Sequence, residues 1–348
     1  MARTQVVGLD MGDTQVRAVE MSIDPRDPFD SPRIQRFAEW DLGHDVIRDG
    51  EVARPSDVAH VLRDLWKRHR FATKNVILGI GGQRVVVRDA TFPSAPLDVL
   101  RKSLPYMVED LLMIPADESL LDFYPLTETG GQVSGLLVAA PIESVQRNVD
   151  AVQQAGLRTI RVDLTALALV RALARGQFQR GVIGLVDVGA AMTTVAVARD
   201  GQPEMLRILP TGGKIMTDQI SRALAIQESL AERMKIEIAL MNPGDANEQG
   251  QAVFQVVAEK CQAMVEQIAR TFSFYAQSNG NTVQHVVVSG RGGMLNGLGQ
   301  YISTALRLPA SFSTVDSSFQ VERSASAMTP EQRMSLPVAV GLAMGAAA

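Results

Sequence analysis

The sequence predicts an α/β protein of two related lobes facing each other across a cleft, with a small α+β body inserted into the first. Three observations carry this. The stretch VVGLDMGDTQVRAVEM, residues 6–21, reads as strand, Asp-x-Gly turn, strand. The pattern returns about 180 residues later in GVIGLVDVGAAMTTVAVARDG, so Asp10-Met11-Gly12 aligns with Asp187-Val188-Gly189. From Pro93, about 70 residues of different texture interrupt the first copy, enough for a small domain.

The elements follow in order. Residues 6–9 and 16–21 are rich in β-formers, and residues 34–42 form a third strand. PSDVAHVLRDLWKRHRF has helical spacing, with Val58, Val61, Leu62, Leu65 and Trp66 on one face and Ser56 as N-cap. NVILGIGG and RVVVRDATFP read as strands. The insert begins with a helix interrupted by Pro105, continues with strands SLLDFYPL and SGLLVAAP, and closes with a helix ending near Gly156 and a strand. DLTALALVRALAR is a buried helix. After the second strand–turn–strand copy come two long helical runs, then a buried strand, a glycine turn and a helix in VQHVVVSGRGGMLNGLGQYISTAL. Residues 313–335 read as a polar surface loop, and LPVAVGLAMGAAA as a core-packing helix.

Composition narrows the function classes. The chain has 348 residues, 46% hydrophobic and 21% charged, an ordinary globular balance. A net charge of -4 provides no broad basic field, so a nucleic-acid partner is not expected. Cys261 is the single cysteine and lies in a helical run, which excludes an internal disulfide and favours an inert buried thiol. His44, His60, His69 and His285 are scattered without metal-ligand spacing. LWKRHR is a local basic cluster, a solvated helix face or a contact for anionic lipid. No apolar run of about 18 residues and no apolar leader segment is present, so the expected compartment is the cytoplasm.

One Asp-x-Gly turn is an ordinary hairpin feature; two copies and a third glycine turn form a pattern. Opposed turns can clasp phosphates through backbone N–H groups, and glycine permits the close approach. Asp10 and Asp187 then suit a hydrated Mg²⁺, which takes carboxylate, water and phosphate oxygens. The third turn, Gly290, Arg291, Gly292 and Gly293, precedes a helix whose N-terminus can face adenosine or phosphate.

These motifs resemble the actin/hexokinase ATPase superfamily. Within it, LLVAAPIESVQRNVDAVQQAGLRTIRVDLTALALVRAL and ILPTGGKIMTDQISRAL are similar to the PilM family of type IV pilus assembly proteins, relatives of FtsA. The resemblance covers nearly the whole chain. It implies a duplicated, actin-like (ribonuclease H-like) two-lobe fold with an FtsA-like 1C subdomain. Residues 1–90 and 159–180 would form the first lobe (1A) and 91–158 the insert (1C); 181–348 would form the second lobe (2A), with 2B at about 212–280. It implies ATP and Mg²⁺ as ligands. The first phosphate motif would use Asp10, Gly12, Asp13, Thr14 and Arg17; the second, Asp187, Gly189 and Thr193. Gly212 and Gly213 would approach the phosphates, Glu232 and Lys235 the ribose or purine, and Gly290, Arg291, Gly292 and Gly293 the adenosine.

Several positions depart from that family's pattern. Asp13 stands where a small hydroxyl is usual, Arg17 where lysine is, and Arg291 where glycine is. Thr165 stands where many relatives carry an acid that positions water, with Asp163 nearby as a possible substitute. Together they imply nucleotide binding with slow or absent hydrolysis. The resemblance further implies a PilN-like bitopic inner-membrane partner, whose N-terminal cytoplasmic tail would bind an insert groove with walls at Leu100, Leu104 and Met107. Other pilus assembly proteins and self-association are further implied contacts, at the inner face of the cytoplasmic membrane. Two other classes share the superfold: an FtsA-like polymer subunit, which calls for a basic amphipathic C-terminal helix, and a sugar or acetate kinase, which calls for a catalytic base and polar pocket. The secretion-system relative GspL continues into a transmembrane helix.

Overall fold

Two strands rich in β-branched residues meet at the first Asp-x-Gly turn. β1 (Thr4–Met11) and β2 (Gln15–Ile23) pair antiparallel, with Asp10 opposite Arg17. The structure, a computed structural model, describes residues 3–24, 32–112, 114–240, 244, 247–313, 318–322 and 328–347. β3 (Arg33–Asp41), β6 (Asn75–Ile80) and β10 (Arg158–Leu164) extend the sheet, and the short β16 (Gln320–Val321) pairs with β3, giving the order β10-β6-β1-β2-β3-β16. β1, β6 and β10 run parallel, so their C-terminal ends point together.

One face of this sheet carries α1 (Pro55–His69) and α3 (Ile142–Gln154), which bury Leu62, Leu65, Ala151 and Val152 against Val7 and Leu9. The helical spacing read from the sequence holds, but Ser56 is not the cap. Pro55 supplies the preset φ of the first turn, and the Ser56 hydroxyl turns to Asp57. The other face carries α4 (Thr165–Leu173) and α10 (Pro337–Met344); every residue of α10 is buried. α10 lies so close to β1 that a Cβ on Gly8 would come within 2.0 Å of the Ala339 carbonyl oxygen.

The second lobe repeats the plan. β11 (Val182–Val188), β12 (Thr193–Arg199) and β13 (Gln202–Leu209) form an antiparallel meander. β14 (His285–Ser289) and β15 (Ala310–Phe312) add on in parallel, giving the order β13-β12-β11-β14-β15. This matches β3-β2-β1-β6-β10 strand for strand, as the repeat predicts. The 32-residue α7 (Glu248–Asn279) buries Val257, Met264 and Ile268 on it. Cys261 is among them, and burial pushes its thiol up to about 12, so it is inert as expected. The helical run after Gly212 is two helices, α5 (Gly213–Leu224) and α6 (Glu228–Ile238), split where Ala225 takes a left-handed conformation. α8 (Leu298–Leu306) follows the third glycine turn. Within the expected 313–335 loop, the described residues include a short strand, β16 (Gln320–Val321), and α9 (Pro330–Ser335), closed by a Thr329–Gln332 capping box.

The insert has its own three-stranded sheet, β7-β9-β8, from β7 (Val86–Pro93), β8 (Ser119–Thr129) and β9 (Gln132–Pro141). Its ladder starts at Val86, and α3 packs on the first lobe, so the separate body spans residues 86–141 rather than 91–158. α2 (Leu97–Met107) covers this sheet. Leu100 and Leu104 sit in its core with Phe92, Val108, Phe123 and Leu137, and Met107 packs half-buried beside them. They are therefore packing residues and not groove walls. The helical period that suggested them is the period of any core-facing side.

Candidate functional site between the lobes

Both Asp-x-Gly turns close by the same bond. The Gly12 N–H donates to the Gln15 carbonyl and the Gly189 N–H to the Met192 carbonyl, each at 2.9 Å. The turns approach one cavity of about 600 Å³ between the lobes. Thr14, Gln15 and Arg17 line it from the first lobe; Val188, Gly189, Ala190, Gly213 and Lys214 line it from the second.

At its base, Arg17 Nη1 lies 3.0 Å from Asp10 Oδ2, while Nη2 donates to Gln15 Oε1 at 3.2 Å. Asp187 accepts a 2.7 Å bond from the Ser289 hydroxyl. Desolvation by the surrounding protein pushes its carboxyl up to about 6; the Asp10 charge adds to this, against Ser289 and Arg17. Neither aspartate lines the cavity wall, but Asp10 is held by lining Arg17 and Asp187 precedes lining Val188. Two neighbouring carboxylates fit a hydrated Mg²⁺ completed by water and phosphate oxygens; among the described residues no cluster of three or more metal-ligating side chains exists.

The second-lobe wall is built on glycine. The Gly213 and Lys214 N–H groups donate to the Gly189 and Ala190 carbonyls at 3.0 and 2.9 Å, tying the N-terminus of α5 to the second turn. A Cβ on Gly212 would come 2.3 Å from the Ala190 oxygen. Lys235, 6% exposed, donates to the Gly213 carbonyl, Thr217 Oγ1 and Glu232 Oε2 at 3.1, 3.0 and 2.7 Å. Gly290 has φ 80°, and its N–H donates to the Met334 carbonyl at 2.7 Å. A Cβ on Gly292 would press on Val188 Cγ1 at 2.7 Å.

Of the residues named from sequence, Thr14, Arg17, Gly189, Gly213, Glu232, Lys235, Arg291 and Gly292 meet on the cavity wall. Gly12, Gly212, Gly290 and Gly293 support it from behind. Asp13 turns away: its carboxylate accepts the Asp49 and Gly50 N–H groups at 2.8 and 3.0 Å. It anchors the loop between β4 (Ile47–Arg48) and β5 (Glu51–Val52) and does not face the cavity. Burial raises its carboxyl, with these N–H bonds acting against that. The buried Thr193 hydroxyl donates to the Thr211 carbonyl at 2.8 Å and is a packing group. Asp163 is engaged by Arg171, so it does not replace the acid absent at Thr165.

Sequence reasoning missed Gln15, Asp41, His44, Lys214 and Glu228, which also line the cavity. Lys214 directly follows the glycine pair and was the one with a local signal; it bridges Asp218 and Glu228 at 2.8 and 3.0 Å. Asp41 ends β3 and His44 follows it, where only the folded chain shows what they face. His44 Nδ1 lies 3.2 Å from Glu228 Oε2 across the cleft.

Comparison with known proteins gives a consistent result. The profile of the family described as "Type IV pilus assembly protein PilM" matches residues 8–347. The FtsA cell division protein of Streptococcus pneumoniae serotype 2 is 25% identical over 208 residues, covering 58% of this chain and 44% of that protein. The chain thus spans about half the length of such curated relatives. A chain from a solved "PilM-PilN type IV pilus biogenesis complex" superposes with a TM-score of 0.84 at 22% identity, covering 99% of both chains. The ethanolamine utilization protein EutJ of Carboxydothermus hydrogenoformans reaches 0.56 at 17% identity, covering 99% of this chain and 90% of its own. These neighbours share the actin-like two-lobe α/β fold.

Proposed function

The chain belongs to the PilM family of type IV pilus assembly proteins, and on that premise we propose that it is an ATP-binding scaffold of the pilus inner-membrane complex, with slow or absent hydrolysis. The observation that carries the nucleotide reading is the interlobe cavity, walled by both glycine turns and the N-terminus of α5. In this reading Thr14, Arg17 and the backbone of residues 189–190 hold the phosphates. Glu232 and Lys235 face the ribose, while Gly292, Ile236 and Met294 flank the base. Asp10 and Asp187 hold Mg²⁺, which when bound offsets phosphate charge. Thr165, with Asp163 tied to Arg171, leaves no free acid at the position that positions water in relatives, which supports slow turnover.

The partner reading rests on the family and on the PilM-PilN complex among its structural neighbours. In this reading the partner segment is the N-terminal cytoplasmic tail of a PilN-like protein. No described helix is long and apolar enough to cross a membrane; such a tail would hold the protein at the inner face. Isothermal titration with Mg-ATP tests the first part: binding below millimolar concentration is expected, and none at that concentration defeats it. Single-turnover phosphate release faster than about 1 s⁻¹, within the range of ordinary enzymes, would overturn slow hydrolysis. Fluorescence anisotropy with the labelled tail of a PilN-like protein, with ATP present, tests the partner.

A further inference from the structure

The basic run LWKRHR remains outside both proposed sites. Arg63 and Lys67 stand at i and i+4 on one exposed side of α1, and exposed Arg70, in left-handed conformation, ends the helix just beyond them. The chain then turns into β6 through exposed Lys74, and the Arg158 N–H at the start of β10 donates to the Lys74 carbonyl at 2.8 Å. Arg158 is also exposed and sits opposite Asn75 in the ladder. Thus five cations of a chain with net charge -4 converge on one end of the first lobe.

Lys67, Arg70, Lys74 and Arg158 make no ion pair or side-chain hydrogen bond among the described residues, and Arg63 reaches only the Gln154 carbonyl. Elsewhere in the first lobe the typical arginine is engaged: Arg17 by Asp10, Arg36 by Glu20 and Arg84 by Glu51. Asp64 is next to Arg63 and is the nearest acid to these cations in sequence. Beside Arg158, on edge strand β10, Ile160 is 45% exposed.

We propose that this end of the first lobe is a docking surface for an anionic lipid bilayer. Cations on flexible stems beside one exposed aliphatic group suit phosphate headgroups over acyl chains. A nucleic-acid surface fits less well, because Trp66 and Phe71 are buried and the half-buried Trp40 ring is already covered by the Arg68 guanidinium at 5.7 Å. The patch lies at the N-terminal ends of β6 and β10, opposite the nucleotide cavity at the C-terminal end of β1. It rests on the pilus reading only for the presence of a membrane; its test reads lipid, not nucleotide.

The test is vesicle flotation of the full chain at 50 mM and 500 mM NaCl. The vesicles are phosphatidylcholine alone or with about 30% phosphatidylglycerol. Flotation only with the anionic vesicles, lost at high salt, is expected. Lys67→Glu/Lys74→Glu/Arg158→Glu should reduce it about 100-fold, from about fivefold per cation removed, while nucleotide affinity and melting temperature stay unchanged. Should that variant fold poorly, the neutral Lys67→Gln/Lys74→Gln/Arg158→Gln variant is read instead and should lose about as much. No flotation at low salt, equal flotation on neutral vesicles, unchanged binding in a folded variant, or tighter retention on duplex DNA than on vesicles would each overturn the proposal.

Discussion

Arg291 reaches across the cavity mouth to Asp41, Nη1 to Oδ1 at 3.8 Å, so one residue of the third glycine turn contacts the opposite lobe. His44 and Glu228 make a second crossing. Both pairs are solvent-exposed, and such pairs contribute about 0–1 kcal/mol. They act as a light clasp. Arg291→Gly should speed release of a fluorescent nucleotide about two- to fivefold in stopped-flow displacement, with the melting temperature within about 1 °C of wild type. An unchanged release rate would show that the clasp does not limit exit.

Arg17 donates to two acceptors, Asp10 and Gln15, at the base of the same cavity, and its Nε lies 3.7 Å from Glu39. Arg17→Ala should weaken Mg-ATP binding at least about tenfold by titration calorimetry, since the phosphates lose the guanidinium that lines the cavity and Asp10 loses its ion-pair partner. Arg17→Lys keeps the charge but not the fork, and should recover only part of the loss.

Asp187 gives a pH dependence with a defined sign. Its carboxyl is held near 6 in the folded chain against 3.8 when unperturbed, so ionisation favours the unfolded state. In EDTA, this group's contribution to stability should fall as pH rises from about 4 to about 6, then level off. Asp187→Asn should gain on the order of 1–3 kcal/mol at pH 7.5 and nothing at pH 4, by urea denaturation. A gain independent of pH would mean that packing, not charge, is responsible.

Leu104 is fully buried in the small sheet's core. Leu104→Ala should destabilise that body by about 2–5 kcal/mol. Hydrogen exchange should accelerate across residues 86–141 while nucleotide affinity in the interlobe cavity holds. Protection lost equally in both lobes would contradict the separate core.

Much of this architecture was legible because it repeats. Asp10-Met11-Gly12 and Asp187-Val188-Gly189 marked both lobes, and the glycines at 212, 290 and 292 marked the wall and its backing, because close backbone approach leaves a compositional trace. Side-chain direction leaves none. Asp13 has the composition of a phosphate-turn residue, yet two N–H groups of a loop 36 residues away claim its carboxylate. Leu100 and Leu104 have the spacing of a groove wall and of a core alike, and only the pairing of β7 with β9 decides. Asp41 and His44 have no local signal, since their partners, Gln15 and Arg291 for Asp41 and Glu228 for His44, are distant in sequence.

α10 comes last among the described helices yet packs on β1, β2 and β6, among the first strands made, with Gly8 and Gly79 bared to admit it. During synthesis, the first lobe's sheet therefore waits with one face partly bare until residues 337–344 have left the ribosome. A nascent chain stalled before Pro337 would present that open apolar face to chaperones, whatever its second lobe had already achieved.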